Sequence, residues 1–536
     1  MGLLPSGLEQ NMPQQPSANT RYKALSIALI SIAWLATTLV FWTGYVGSDD
    51  IVYARYAWML HRPPMTWWEF RMPFILALHA SFRLFGPSEV AATVPTMLTS
   101  LGILASVAWF VGWPRKLTWQ SQFSMLIAAT LPIEVSFRTF PSAPVFAGGL
   151  LALGTVFLLR PEPKWHWVAA PLLAIAFLTH ETTFFYISLL CLTLVVFDWR
   201  RCWRRVLLCV LAAGLALAAE CAVYWIILGD PLARLKVSAI PAATLPFGYD
   251  GDINLGGIRY FTWPIENLIF CKSFGFDLLL LLLAGIASWR CFKEPERMLF
   301  VAMFAFWFWL GFGTQVPWAY RPLGRQMHYY VPLTLGIAAL LPAAVSTAFA
   351  ARPRLWRGLL AAVVLVHLIN LSAGGRWGQD VWVSRALLRF ASSHPAQWFV
   401  TDARTMNRLY TLSGFRMPPN VVCVNGPTVL NHLRINDEPA GTPRFQFPET
   451  RVDAALINSD ITLLNGRSDS EFERFLQEQT GKRIQLVPVR YKLLFQPLLL
   501  FMSPRPFMIR SLGGEMANVK DGAVTVNRAS DSPPGH

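Results

Sequence analysis

The sequence carries little charge for its length. Asp, Glu, Lys and Arg make up only 14% of its 536 residues, whereas 54% are hydrophobic and the mean hydropathy is +0.40. Soluble globular proteins carry about 25% charged residues. The shortage of charge therefore excludes an ordinary soluble domain and indicates a polytopic α-helical membrane protein.

The sequence also lacks paired cysteines and nucleic-acid-binding motifs, which narrows the range of possible protein classes. The 7 cysteines include no C-x-x-C pair and lie mostly in or beside apolar stretches, which excludes a disulfide framework and a zinc site. The formal net charge is +15, yet no basic stripe or RNA-binding motif accompanies it. We therefore assign the basic excess to cytoplasmic loops and expect no nucleic-acid partner.

What the sequence does contain is a series of apolar stretches of membrane-spanning length. The first, residues 24–46, has no charged residue and is long enough to cross a bilayer. It follows a polar segment, 1–23, that we predict to be disordered and, because of Arg21 and Lys23, cytoplasmic. The alternation of apolar stretches and basic loops predicts about eleven spans within residues 24–374.

One apolar segment, 167–197, has basic residues on both sides, Lys164 before it and Arg200 after it. Both flanks should be cytoplasmic, so the segment must cross an even number of times. We predict a hairpin with two short legs, which places His180 and Glu181 at its tip near the outer edge of the membrane. The alternative is one long tilted helix with a buried His-Glu pair.

The composition changes after residue 374. Residues 375–515 are polar and contain apolar runs of strand or helix length, such as 397–401, 420–424 and 460–464. This pattern predicts a small C-terminal α/β domain on the outer, extracytoplasmic face. The last residues, 516–536, are predicted to be disordered.

An acidic pair, Asp49-Asp50, stands where the first apolar stretch ends. Carboxylates at the mouth of a membrane span are rare and usually functional. The alternative is a solvated loop carboxylate or a helix cap at the start of residues 51–60. The pair opens a predicted outer loop, 47–90, whose apolar piece 74–85 is interrupted by charge and predicts an interfacial helix.

The residues around this pair, SDDIVYARYA at 48–57, resemble the first-loop signature of GT-C glycosyltransferases. The resemblance is to the branch of protein O-mannosyltransferases and lipid A aminoarabinose transferases. Further similar motifs follow in the family's order, at 71–74 (RMPF), 82–89 (FRLFGPSE), 92–96 (ATVPT), 176–180 (AFLTH) and 321–333 (RPLGRQMHYYVPL). The similarity covers residues 24–340. It departs from the family at His180, where the branch commonly has Lys, and at Ser142, where it often has Asp.

The resemblance implies transfer of a sugar from a polyprenyl-phosphate donor to an acceptor at the outer face, with inversion of the anomeric centre by a single displacement. It implies that Asp49 is the catalytic base, with Asp50 as a second catalytic candidate. Glu181 and Glu134 are candidates for the acidic group that Ser142 does not supply.

Cationic side chains must hold the leaving phosphate in such a reaction. The candidates are Arg321, Arg325 and His328 in a third outer loop, and His180 through its match to the family's Lys. The first three would share one face if their stretch were helical. Their alternative role is to anchor a span at the membrane interface.

The expected partners are the membrane, the donor, and a lipid, glycan or protein acceptor. Some GT-C branches use a divalent metal, but an acidic pair alone is not a metal signature, so no metal or other cofactor is assigned. The expected location is a bacterial inner membrane, with the site and the C-terminal domain facing the periplasm.

Other functions remain open at this point. A lipid or glycan transporter or flippase would place ionisable residues at mid-membrane, and Asp277 is the main residue of that kind. Another membrane transferase, such as an acyltransferase, would use a His-based centre, for which only His180-Glu181 is a candidate. The third alternative is a non-catalytic assembly subunit.

Overall fold

The computed structural model describes residues 18–46, 49–60, 68–237, 259–316, 319–322, 327–374, 384–424 with short gaps, and five later strand segments. Most of these residues are helical. The helices are α1 (Ala18–Val40), α2 (Asp49–Trp58), α3 (Met72–Phe85), α4 (Glu89–Val111), α5 (Trp119–Thr130), α6 (Pro132–Arg138), α7 (Ala143–Leu158), α8 (Pro163–Thr179), α9 (Thr182–Leu228), α10 (Arg259–Ile269), α11 (Asp277–Ala287), α12 (Glu294–Phe312), α13 (Leu333–Ala348), α14 (Pro353–Gly374) and α15 (Ala403–Leu412).

Within the described residues, four helices are long and apolar enough to cross a membrane by length and composition: Thr20–Val40, Glu89–Val111, Thr182–Leu228 and Pro353–Ser372. Four further apolar helices among the described residues are shorter: Met72–Phe85, Ala143–Leu158, Asp277–Ala287 and Leu333–Ala348. This is the architecture of an integral membrane protein. The predicted number of crossings stays a prediction, because length and composition do not decide whether the shorter helices span.

The predicted hairpin is present. Helix α8 ends at Thr179, His180 is extended with a φ of −155°, and α9 begins at Thr182. A second break lies within α9 at Asp198, whose φ of −157° and ψ of 78° are not helical. One continuous helix through 167–197 is therefore wrong, and His180 and Glu181 lie at the tip between two helices.

Close helix packing depends on small residues. A Cβ atom added to Gly149 of α7 would lie 2.3 Å from the Cβ of Thr99 in α4. Small residues at such contacts let two helix backbones approach closely, which is how helices associate in a membrane.

Helix α4 begins with a conventional cap, because the Ser88 hydroxyl accepts a hydrogen bond from the backbone N–H of Ala91 at 3.2 Å.

The C-terminal region contains a mixed sheet. Earlier in the chain, β1 (Thr314–Val316) and β2 (Ala319–Pro322) form a short antiparallel pair. The mixed sheet consists of the five later strands β3 (Phe399–Asp402), β4 (Val421–Val424), β5 (Ala454–Ile457), β6 (Gln485–Val489) and β7 (Phe507–Ser511). The sheet order is β4-β3-β5-β7-β6, with β3 parallel to β4 and β5 and the other pairs antiparallel. Helix α15 supplies the crossover that the parallel pair β3 and β4 requires.

Two of the predicted apolar runs, 397–401 and 420–424, overlap β3 and β4, whereas 460–464 lies outside the described residues. The extent of an α/β domain over 375–515 stays a prediction. The predicted disorder at the two ends of the chain falls only partly on described residues, because 1–17, 521–522 and 529–536 lie outside them. Helix α1 already begins at Ala18, and within 516–536 the strands β8 (Glu515–Lys520) and β9 (Ala523–Arg528) form an antiparallel hairpin. The residues between these strands are Asp-Gly, a sequence that favours tight hairpins.

Long-range contacts gather several helix ends at one end of the bundle. The backbone N–H of Tyr45, after α1, donates to the Glu89 carboxylate at the start of α4. The Arg71 side chain, before α3, contacts Glu181 at the hairpin tip, and Tyr224 near the end of α9 donates to the Phe70 carbonyl. We call this end of the bundle, which also carries α2, the α2 end.

Candidate active site

The acidic pair forms the first turn of α2, and its two carboxylates have different surroundings. Asp50 is fully buried, and its Oδ2 accepts a hydrogen bond from the Val46 backbone N–H at 2.6 Å. Asp49 is partly exposed. Both carboxylates interact favourably with the positive N-terminal end of the helix. Asp50 therefore has a structural contact, and Asp49 is the carboxylate that a substrate can reach.

Arg71 is the central cation of the α2 end. Its side chain is only 2% exposed, and Nη1 donates a short hydrogen bond to the hydroxyl of Tyr53 on α2. Its guanidinium carbon lies 5.6 Å from the centre of the Tyr53 ring. Burial lowers the pKa of Arg71, but Tyr53, Glu181 and Asp49 raise it, and the net shift is upward. Arg71 is thus a permanent cation within the electrostatic reach of Asp49.

Glu181 joins two arginines at the hairpin tip. Its Oε2 lies 3.5 Å from Arg71 Nη2, and its Oε1 lies 3.5 Å from Arg234 Nη2. Burial raises the pKa of Glu181, but Arg71, His180 and Arg234 lower it more strongly, to about 2. The carboxylate is therefore ionised at neutral pH, although 39% of the side chain is exposed.

A second layer of contacts supports this pair of arginines. Arg234 Nη1 donates to the Glu220 carboxylate and to the Leu178 carbonyl, both at 2.8 Å. The Tyr224 hydroxyl, one helical turn after Glu220, donates to the Phe70 carbonyl at 3.1 Å. These contacts fix the backbone just before Arg71 against α8 and α9.

His180 presents a buried donor. Its Nδ1 accepts a hydrogen bond from the Thr182 backbone N–H at 3.3 Å, so in the neutral ring the proton is on Nε2. The residue is 2% exposed, and Nε2 has no hydrogen-bond partner among the residues that the structure describes. Nε2 lies 3.8 Å from Glu181 Oε2. Burial and, secondly, Arg71 hold the pKa of His180 well below its ordinary value.

His328 lies on the same side of the cluster. It belongs to a 3₁₀ turn, Met327–Tyr330, and its ring centre is 4.5 Å from that of Tyr329, which in turn is 5.1 Å from the His180 ring. Its ring also contacts Phe137 at 5.8 Å. Burial and Arg71 lower the pKa of His328 to about 3. The ring is therefore neutral at pH 7.

The lowered pKa of His328 predicts a pH dependence of stability. The unfolded chain takes up this proton near pH 6.5, whereas the folded protein does so only near pH 3. The stabilisation is thus complete above pH 6.5 and is lost as the pH falls towards 3. We expect His328→Phe, which keeps an aromatic ring beside Phe137, to flatten the decline of the thermal unfolding midpoint between pH 7 and pH 4. An unchanged decline in this variant would contradict the assignment.

The structure brings some of the predicted site residues together at the α2 end and places others elsewhere. It brings Asp49, His180, Glu181 and His328 to the α2 end. Glu134 lies elsewhere, because its carboxylate accepts hydrogen bonds from Arg138 and Ser100 in the helix core.

The predicted shared helical face of Arg321, Arg325 and His328 is not formed. Arg321 belongs to strand β2, whereas His328 lies in the 3₁₀ turn, and Arg325 lies outside the described residues. The interactions of the Arg321 side chain also lie outside the described part of the chain. The roles proposed for these two arginines therefore stay predictions.

The sequence did not identify every member of the cluster. From the sequence alone, Arg71 is, like Arg55, a plausible phosphate contact but more often a contact of lipid headgroups, and Tyr53, Glu220 and Arg234 have no assigned role. The signal for Arg71 was its position directly before the Met72-Pro73 start of a helix in the outer loop. Within the described ranges, no three His, Cys, Asp or Glu side chains are grouped as metal ligands.

No protein-family model matches the sequence, and no curated protein matches it. Solved structures do match. ArnT from Cupriavidus metallidurans in the apo state is 13% identical, with a TM-score of 0.51, over 92% of this chain and 98% of that one. ArnT bound to undecaprenyl phosphate is 12% identical, with a TM-score of 0.49 and the same shares.

The Archaeoglobus fulgidus oligosaccharyltransferase, in a complex with Zn and sulfate, is 10% identical, with a TM-score of 0.46, over 73% of this chain and 61% of that one. At such identities the likeness concerns the fold alone. The chain shares the fold of apo ArnT over 92% of its length.

Proposed function

We propose that this protein transfers a sugar from a polyprenyl-phosphate donor to a lipid, glycan or protein acceptor at the α2 end. The observation that carries the proposal is that the buried cation Arg71 lies within electrostatic reach of both the partly exposed carboxylate of Asp49 and the buried donor His180. The proposed location is a bacterial inner membrane, with this end facing the periplasm. No cofactor is assigned.

The donor phosphate is assigned to Arg71 and His180. A guanidinium recognises phosphate through parallel hydrogen bonds, and Arg71 keeps its charge at any relevant pH. Its contact with Glu181, at 3.5 Å, is longer than a charge-assisted hydrogen bond of about 2.8 Å, so phosphate oxygens can compete for it. The Nε2–H of His180 is a buried donor that an anionic oxygen would satisfy.

The reaction that these groups support is one displacement. A nucleophilic group of the acceptor attacks the anomeric carbon while Asp49 takes its proton. The bond between that carbon and the phosphate oxygen breaks, its electron pair stays on the phosphate, and Arg71 stabilises the developing charge. The products are the glycosylated acceptor, inverted at the anomeric carbon, and the polyprenyl phosphate.

The other residues that were predicted to bind the phosphate have minor roles in the proposal. His328 is neutral at pH 7 and lies against Tyr329, so it would act as a neutral donor or as packing for His180. Arg321, in β2, and Arg325, outside the described residues, precede this turn in the sequence and remain proposed contacts of the donor.

The transporter hypothesis depended on Asp277 as an ionisable group within the membrane. In the structure Asp277 is 1% exposed, and its Oδ2 lies 2.8 Å from His367 Nε2. His367 Nδ1 lies 3.3 Å from the Thr130 hydroxyl. The carboxylate thus has a structural partner that joins α11 to α14 and α5, which favours the enzyme over the transporter.

Binding of undecaprenyl phosphate to the purified protein tests the donor site. We expect Arg71→Met to weaken binding about 10- to 100-fold, because a hydrogen bond to a charged group contributes about 1.5–3 kcal/mol. Arg83→Met is the matched control, since Arg83 is an exposed arginine at the far end of α3. Wild-type affinity in Arg71→Met, or an equal loss in both variants, would contradict the proposal.

A further inference from the structure

The turn after α15 has an unusual backbone. Gly414 has a φ of +72° and Phe415 a φ of +62°, and Phe415 is the non-glycine residue with a positive φ among those described. A bulky side chain rarely adopts this conformation, whereas Gly or Asn adopts it readily. The turn is closed by a hydrogen bond from the Phe415 N–H to the Tyr410 carbonyl at 2.8 Å. Contacts of the Phe415 side chain must therefore offset the energetic cost of this backbone conformation.

The Phe415 ring fills a slot between α2 and α3. It stacks on Trp58, the last residue of α2, with ring centres 5.6 Å apart and an interplanar angle of 7°. It meets Phe82 of α3 edge-on at 5.9 Å and Tyr410 of α15 at 5.5 Å. Only 8% of the residue is exposed. An aromatic ring is what the slot accommodates, and the backbone strain is accepted to place it there.

The same C-terminal segment contacts the α2 region at further points. Gly414 lies so close to the Pro87 carbonyl that a Cβ atom would be 2.5 Å from its oxygen. The guanidinium of Arg55, in the middle of α2, lies 6.0 Å from the Tyr410 ring. Arg385 forms a short ion pair with Glu89, which also binds the Tyr45 N–H before α2.

Helix α2 needs such support. It has 10 residues, and an isolated helix shorter than about 12–15 residues is marginal in water. Trp58 and Asp49 are at its opposite ends, about 14 Å apart along the axis at 1.5 Å per residue. A tilt of a few degrees at Trp58 would therefore move the Asp49 carboxylate by about 1 Å, a displacement that catalysis does not tolerate well.

We propose that residues 410–415 clamp α2 and that Phe415 is a positioning residue for Asp49. The inference rests on the proposed function for the meaning of Asp49, but the clamp itself rests on the contacts of Phe415. It assigns to the C-terminal region the task of holding the catalytic helix in place.

The test replaces Phe415 with Gly, which removes the ring and relieves the strained φ, and with Tyr, which keeps the ring. We expect Phe415→Gly to lower kcat at least tenfold, with KM for the donor within twofold, and to speed amide hydrogen exchange of residues 51–58 at least tenfold. Phe415→Tyr should restore both. Phe349→Gly is the control, since Phe349 follows α13 and is 37% exposed.

Each outcome decides a separate point. Unchanged exchange over residues 51–58 in Phe415→Gly overturns the clamp, whatever the activity. Faster exchange with unchanged kcat overturns the positioning role. If the wild type transfers no sugar, the proposed function fails, and the exchange measurement alone decides whether Phe415 holds α2. If Phe415→Gly does not fold, Phe415→Leu replaces it with the same expectations.

Discussion

Replacement of Asp49 by Asn is expected to lower kcat for sugar transfer by about 10²- to 10⁴-fold, the usual contribution of a general base. Asparagine keeps the shape of the side chain, but it cannot take a proton. Binding of undecaprenyl phosphate should change little, because the phosphate is assigned to Arg71 and His180. The measurement is release of polyprenyl phosphate under single-turnover conditions.

Asp50→Asn is the matched variant. Its side-chain oxygen can still accept the hydrogen bond from the Val46 N–H, so a smaller loss of kcat is expected than in Asp49→Asn. Asp50→Ala leaves the half-buried Val46 N–H without its acceptor and should lower stability by about 1 kcal/mol. A larger loss of kcat in Asp50→Asn than in Asp49→Asn would transfer the role of base to Asp50.

Loss of the Glu134 charge is expected to cause the largest fall in stability. Arg138 is fully buried, and apart from Glu134 its donors reach the Trp34 carbonyl at 2.8 Å, the Thr38 hydroxyl at 2.7 Å and the Ala129 carbonyl at 3.1 Å. These contacts join α1, α5 and α6. Glu134→Gln leaves the guanidinium buried without its counter-charge, which costs about 3–5 kcal/mol.

The double variant separates a structural role from a catalytic one. Glu134→Gln combined with Arg138→Met removes both charges and should recover part of the lost stability, because an apolar replacement of a buried ion pair is often close to neutral. The measurement is the thermal unfolding midpoint in detergent. If Glu134→Gln keeps its stability but loses transfer activity, the carboxylate has the acidic role that the sequence suggested for it.

The sequence predicted the features that depend on local pattern. Basic flanks and apolar length were enough to predict the hairpin whose tip carries His180 and Glu181, because both signals are contained within one stretch of chain. The acidic pair was also recognisable, since it interrupts an apolar region.

The contacts that assemble the site could not be predicted in this way. Arg71 meets Glu181, and Arg234 meets the same carboxylate from 53 positions later in the chain. Such pairings depend on how α3, α8 and α9 pack, which periodicity does not specify. The spacing of Arg321 and His328 suggested one helical face, but the chain forms a strand at Arg321 and a separate turn at His328.

The most direct test of the account is donor turnover by the purified wild-type protein. It would be incubated with a panel of polyprenyl-phosphate sugars and a membrane-lipid extract as acceptor, and released polyprenyl phosphate would be measured by mass spectrometry. The account predicts that at least one donor is consumed and that Asp49→Asn slows this consumption at least about 100-fold. A folded wild-type protein that binds undecaprenyl phosphate but consumes no donor, or consumption at the wild-type rate in Asp49→Asn, would contradict it.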